Sequence, residues 1–158
     1  MAKTPDNKME LPVRLQNMVT FRISRLHARL NAQATNILKE AADISLMQWR
    51  VFVMLESHGR ITPAEIVRQT DLDKSQLSRA VKSMVERGLI TSEASESDQR
   101  AHNLNFTEKG LEVFHLARPH MRRRQTRLLN ALDQKEQEAL FGALQKLDAV
   151  MDEIEAES

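Results

Sequence analysis

Apolar residues recur along the first part of the chain at Leu15, Met18, Val19, Ile23, Leu26, Leu30 and Ile37. Steps of three and four predict one helix from Leu11 onward, sustained for more than about six turns and too long for a small globule to cover alone. A second helix opens at Ser45-Leu-Met-Gln48, where Gln48 can reach back to the Ser45 amide as in a capping box. It carries Trp49, Phe52, Val53 and Leu55 and ends at Gly59. A third, short helix begins at Thr62-Pro63-Ala64-Glu65, where the cap, the proline at the first helical position and the following glutamate all agree. Thr70-Asp71 interrupts it, and a fourth starts at Asp73-Lys-Ser-Gln76. That helix runs to Gly88 with Leu77, Val81, Met84 and Val85 predicted to face the core. Only the stretch from Asp71 to Asp73 separates the two, which reads as a helix-turn-helix.

The period then changes. Leu89 to Ala94 and His102 to Phe106 are short β-compatible runs, with Leu104 and Phe106 on one face and the turn-prone Ser95-Glu-Ser-Asp-Gln-Arg100 between them. A hairpin directly after a helix-turn-helix is a wing. Thr107 then caps a long helix through Leu111, Phe114 and Leu128, expected to bend near Pro119. Asp133-Gln-Lys-Glu136 opens the last helix, with Leu140, Leu144, Leu147, Val150 and Met151 at helical spacing. The fold class expected is mainly α with a small β-hairpin wing, a winged helix-turn-helix with long helices at both ends. The domain organisation expected is a flexible N-terminus over 1–10, a dimerisation helix over 11–40, the DNA-binding domain over 41–107 and C-terminal dimerisation helices over 108–158. The end helices are too apolar along one stripe for a winged helix to cover, and a twofold partner would bury both.

Composition narrows the chemistry. Four glycines and four prolines among 158 residues leave few breaks and favour long helices. The absence of cysteine removes disulfides, thiol redox sensing, iron–sulfur ligation and cysteine-based zinc motifs. No apolar run approaches the roughly 18 residues of a membrane span, and Met1 to Glu10 lacks a signal-peptide core, so a cytoplasmic location is expected. No nucleophile elbow or phosphate-cradling loop is present, and an enzyme is not expected. His115 and His120 are five apart and diverge on a helix, so neither a metal site nor a cofactor is expected. Net charge is only +1. From Arg60 to Arg100, seven cations (Arg60, Arg68, Lys74, Arg79, Lys82, Arg87, Arg100) balance seven acids (Glu65, Asp71, Asp73, Glu86, Glu93, Glu96, Asp98). Any binding to nucleic acid must therefore come from where the cations sit, with two subunits acting together.

The stretch from about Ser45 to Gly110 resembles the MarR family of winged-helix transcriptional regulators. Three stretches carry the resemblance: Thr62-Pro-Ala-Glu65; Leu72-Asp-Lys-Ser-Gln-Leu-Ser-Arg79 continuing to Ile90; and Asp98-Gln-Arg100 followed by Phe106-Thr-Glu-Lys-Gly110. The last pairing is the most specific, and the flanking helices fit the family's dimerisation region. Phe106 stands where leucine is usual, and a single arginine follows Asp98 where two are common.

In a helix-turn-helix the second helix enters the major groove. Its outward positions are Lys74, Ser75, Gln76, Ser78, Arg79 and Lys82, types that suit base edges and phosphates, although the same pattern also describes an ordinary solvated face. Arg100 is the candidate for minor-groove contact from the wing. Asp98 is expected to orient it, a role usual by the resemblance; a plain surface turn is the alternative. The resemblance further implies a small-molecule effector, often an aromatic acid, between the dimer helices and the winged domain. Phe21, Arg25, His27, Trp49, Arg50 and Phe52 are the candidates, against the simpler readings of Trp49 and Phe52 as core and His27 as surface. The cluster Arg118, Arg122, Arg123, Arg124 and Arg127 reads as a solvated or intersubunit ion-pair face. The function expected is a homodimeric repressor on an inverted-repeat operator, with half-sites about one helical turn (~34 Å) apart. The alternative is a winged-helix adaptor or ligand-dependent activator without autonomous DNA binding.

Overall fold

The computed structural model describes residues 18–70, 72–94 and 102–157. Six helices and one hairpin follow in the order α1 (Val19–Ala42), α2 (Leu46–His58), α3 (Pro63–Thr70), α4 (Lys74–Glu86), β1 (Ile90–Ala94), β2 (His102–Phe106), α5 (Glu108–Leu129) and α6 (Gln134–Ala156). The expected start of the first helix at Leu11 lies outside the described residues.

The helix starts follow their caps. Ser45 Oγ accepts from the Gln48 amide at 3.1 Å while Gln48 Oε1 accepts from the Ser45 amide at 2.9 Å. Thr62 and Glu65 exchange the same pair of bonds at the head of α3, and Asp133 and Glu136 do so at the head of α6. α1 stops at Asp43, a left-handed residue at φ 50° whose amide bonds the Lys39 carbonyl. α5 continues through Pro119 as one helix.

β1 and β2 pair antiparallel, with Ile90 opposite Phe106 and Ser92 opposite Leu104. The Leu104 amide also donates to the Ile61 carbonyl at 2.9 Å, so the approach to α3 adds an isolated bridge to the two-stranded sheet that the alternation pattern did not reveal. The core gathers Leu38 and Ile44 with Val51, Phe52 and Leu55 of α2, Ile66 of α3, Leu77 and Met84 of α4, Leu89, Ile90 and Leu104 of the wing, and Phe114 and Ala117 of α5. One expected core position is corrected. Val85 is 40% exposed, and Ala80 takes its place inside with Leu77 and Met84. The spacing Leu77–Ala80–Met84 is three then four, so the inward stripe runs one position short of Val85.

The outer parts of the long helices are uncovered. Val19, Ile23 and Leu26 are exposed on α1, as is Met18 just before it. α6 buries no residue, although Leu140, Phe141, Leu144, Leu147, Val150, Met151 and Ile154 line it. No helix among the described residues is long and apolar enough to cross a membrane.

Candidate nucleic-acid interface

The helix-turn-helix presents one polar face. Lys74, Ser75, Gln76, Ser78, Arg79 and Lys82 are all exposed, while Leu77, Ala80 and Met84 of the same helix are buried. Asp73 sets the start of α4: its Oδ1 accepts from the Gln76 amide at 2.7 Å and from the Ser75 hydroxyl at 2.6 Å. Those bonds, the Ser75 hydroxyl first, hold the Asp73 carboxyl below the usual carboxylate range. Ser75 is therefore committed to the cap, whereas Gln76 enters through its backbone and leaves its side chain outward. Lys82 lies 3.9 Å from Glu86 one turn on, in a pair exposed enough to exchange for a phosphate at little loss. Asp98 and Arg100 lie outside the described residues.

Arg60, met in the sequence only as one of several cations, stands at the base of the wing. Its Nε donates to Asn105 Oδ1 at 3.3 Å, and its guanidinium lies 4.0 Å from Glu93. It thus bridges the approach to α3 and both strands, a long-range placement with no local sequence signal.

The Thr-Glu-Lys-Gly motif has a geometric reason. Thr107 Oγ1 accepts from the Gly110 amide at 3.0 Å, capping α5, and donates to the Gly88 carbonyl at 2.7 Å beyond the end of α4. Lys109 Nζ donates to the Arg87 carbonyl at 2.7 Å. A Cβ on Gly110 would stand 1.8 Å from the Leu89 carbonyl oxygen, so only glycine lets α5 approach this closely. Gly88 itself adopts φ 68°, turning the chain from α4 into the wing.

Two clefts flank Trp49 on α2. One, of about 610 Å³, is lined by His27, Trp49, Arg50, Val53, Met54, Thr70 and Leu72. It brings together three of the candidate effector residues. Phe21 and Arg25 do not line it, and Phe52 is fully buried in the core, stacked on Phe106 at 5.1 Å. His27 is exposed, its Nε2 2.9 Å from Asn31 Nδ2. The second cleft, of about 450 Å³, is lined by Trp49, Val53, Glu56 and the α5 residues Phe114, Arg118, Met121, Arg122, Arg124 and Gln125. The arginine cluster is thus divided. Arg118 pairs with Glu56 at 3.0 Å and lies over the Phe114 ring, and Arg124 bonds the Leu30 carbonyl and Gln33 of α1. Arg122, Arg123 and Arg127 are exposed. No group of three potential metal-ligating side chains occurs among the described residues.

Comparison with known proteins agrees with this architecture. The MarR family model matches residues 42–101. The HTH-type transcriptional repressor IacR of Pseudomonas putida is 27% identical over 99 residues, which is 63% of this chain and 59% of that protein. The match therefore spans less than two thirds of the repressor's own length. The organic hydroperoxide resistance transcriptional regulator of Bacillus subtilis is 28% identical over 105 residues, 66% of this chain and 70% of that protein. Among solved structures, a MarR/EmrR family transcriptional regulator from Acinetobacter sp. ADP1 superposes with a TM-score of 0.80 at 26% identity, covering 89% of this chain and 99% of that one. A helix-turn-helix, a hairpin and flanking helices in the same order, matched in sequence over residues 42–101 and in shape over nearly the whole length, make this chain similar to winged-helix regulators of the MarR family.

Proposed function

We propose that the protein is a homodimeric, sequence-specific DNA-binding transcriptional repressor that sits on an inverted-repeat operator in the cytoplasm and leaves it when a small aromatic or anionic effector binds. The observation that carries the reading is α4 itself. One side is sealed into the core by Leu77, Ala80 and Met84, and the other offers Lys74, Gln76, Ser78, Arg79 and Lys82 to the outside. Gln suits adenine, and Arg suits guanine or phosphate. Ser75, tied to Asp73, contributes chiefly to the cap, and Arg100 with Asp98 contributes from the wing. The similarity to a Pseudomonas putida repressor supports repression as the output.

The uncovered stripes of α1 and α6 support a twofold partner. A dimer sets two copies of α4 at a fixed spacing, and both must enter the groove together. The cleft beside Trp49 supports the effector. It is walled by α1, α2 and, through Thr70 and Leu72, the turn between α3 and α4. A molecule that fits it better in one arrangement of these walls shifts the population toward that arrangement and changes the spacing of the recognition helices. Arg50 and His27 suit an anionic group, and Trp49 an aromatic ring. With no cysteine in the 158 residues, thiol oxidation is not the signal.

The test is selection of bound sequences from a random duplex library by the purified protein. Enrichment of an inverted repeat with half-sites about one turn apart supports the reading. Arg79→Glu should then abolish binding while leaving the dimer intact. No enrichment at any salt concentration overturns it in favour of a protein-binding adaptor.

A further inference from the structure

The C-terminal end of α4 is bonded to three other elements, and the bonds meet at one residue. The Arg87 guanidinium lies 3.4 Å from Gln48 Oε1 at the start of α2 and 4.0 Å from the Asp43 carboxylate at the end of α1. Its carbonyl accepts from Lys109 in the first turn of α5. Gln48, only 5% exposed, adds a second link by donating from Nε2 to Ser83 Oγ at 3.3 Å, one turn earlier on α4. Asp43 is held in turn by Lys39 of α1.

These groups do little for stability. The Arg87–Asp43 pair is open to water, with side-chain exposures of 35% and 67%, and pairs of that kind contribute little. Their effect is directional. The apolar contacts of Leu77 and Met84 hold α4 against the core, and such contacts are non-directional. A polar tie at one end, to elements on three sides, fixes the tilt.

We propose that Arg87 is a positioning residue whose guanidinium ties the recognition helix to the dimer arm α1 through Asp43 and to the start of α2 through Gln48, so that the separation of the two recognition helices follows that arm. This rests on the dimeric DNA-binding reading above. Cutting the tie should leave each half able to bind while the pair loses its sense of half-site spacing.

The experiment uses the full chain, the selected operator, and operators with one base pair inserted or removed between the half-sites. Wild-type protein should prefer the native spacing by about tenfold or more, the scale of one mismatched base pair. Arg87→Met should reduce that preference to about threefold or less, with the slope of log affinity against log salt unchanged. If Arg87 instead touched a phosphate, the slope would shrink by about one per contact and the spacing preference would survive, which overturns the proposal.

Asp43→Asn is the second arm. Asparagine tolerates the left-handed backbone at this position, and removing a carboxylate would by charge alone raise affinity for every duplex alike. Loss of spacing preference in this variant supports the tie, and an unchanged preference in both variants refutes it. Wild-type protein that ignores spacing refutes the dimeric reading and the tie with it, an outcome visible before any variant is made.

Discussion

Trp49 stacks on Phe114 with ring centroids 5.2 Å apart and planes 23° from parallel, so α2 and α5 are joined by an aromatic pair that forms a shared wall of the second cleft. Phe114 also meets Phe52 edge-on and lies against Phe106. Because Phe114 is only 2% exposed, Phe114→Ala should destabilise the fold by about 3–5 kcal/mol. The half-buried Trp49 should lose less, and a double-mutant cycle should give a coupling of about 0.5–1.5 kcal/mol. Urea unfolding followed by circular dichroism measures all three; strict additivity would show that the stack is only shared burial.

The two helical glycines should respond in opposite directions. Gly110→Ala drives a methyl into the Leu89 carbonyl, backbone against backbone, and should destabilise by about 3 kcal/mol or more. Gly142 on α6 has nothing within 4 Å of an added Cβ, so Gly142→Ala should stabilise by about 0.5–1 kcal/mol. Melting temperatures at matched protein concentration decide both.

Acid should weaken the head of α3. Bonds from the Thr62 amide, then its hydroxyl, hold the Glu65 carboxyl below the usual glutamate value. A carboxyl depressed in the folded state contributes stability that is complete above its unfolded value, about pH 4.3, and is lost as pH falls through the lower folded value. Glu65→Gln keeps an acceptor for the Thr62 amide but no longer titrates. Its melting temperature should fall less steeply with pH below that point than that of the wild type, and parallel curves would assign the acid sensitivity elsewhere.

A charge on the outer arm should separate the subunits. Phe141 is 53% exposed on α6 in a single chain and lies on the stripe assigned to the partner. Phe141→Glu should shift sedimentation from dimer to monomer and abolish operator binding at concentrations where wild-type protein binds. A dimer that persists unchanged would place the interface on other residues.

The local signals in this sequence were strong where a helix starts. Ser45, Thr62, Asp73, Thr107 and Asp133 each satisfy an amide within three residues, and such bonds are written in adjacent letters. Periodicity also separated the outward residues of α4 from Leu77 and Met84. It misplaced Val85, because a stripe of steps three and four can be extended by one residue with equal formal fit, and only the packing against α2 and the wing chooses. The bridge from Ile61 to Leu104, the place of Arg60 at the wing, and the tie from Gln48 to Ser83 and Arg87 join residues 35 or more positions apart. No spacing rule reaches that far. Phe52 failed as a cleft residue for a related reason: an aromatic beside Trp49 reads the same from outside, yet one turns to the core and the other to the clefts.

An arm that buries nothing of its own has a consequence for mass action. α6 is 23 residues long and capped by Asp133 and Glu136, but most helical stability in proteins comes from packing an amphipathic face, and α6 buries no residue within the chain. Under the proposed dimer its helicity follows the supply of partner chains, and dilution should fray α6 while the winged core stays folded. In that case the cellular level of the protein governs how many molecules are competent to bind as well as how many are present, and occupancy of the proposed operator should rise more steeply than in proportion to synthesis.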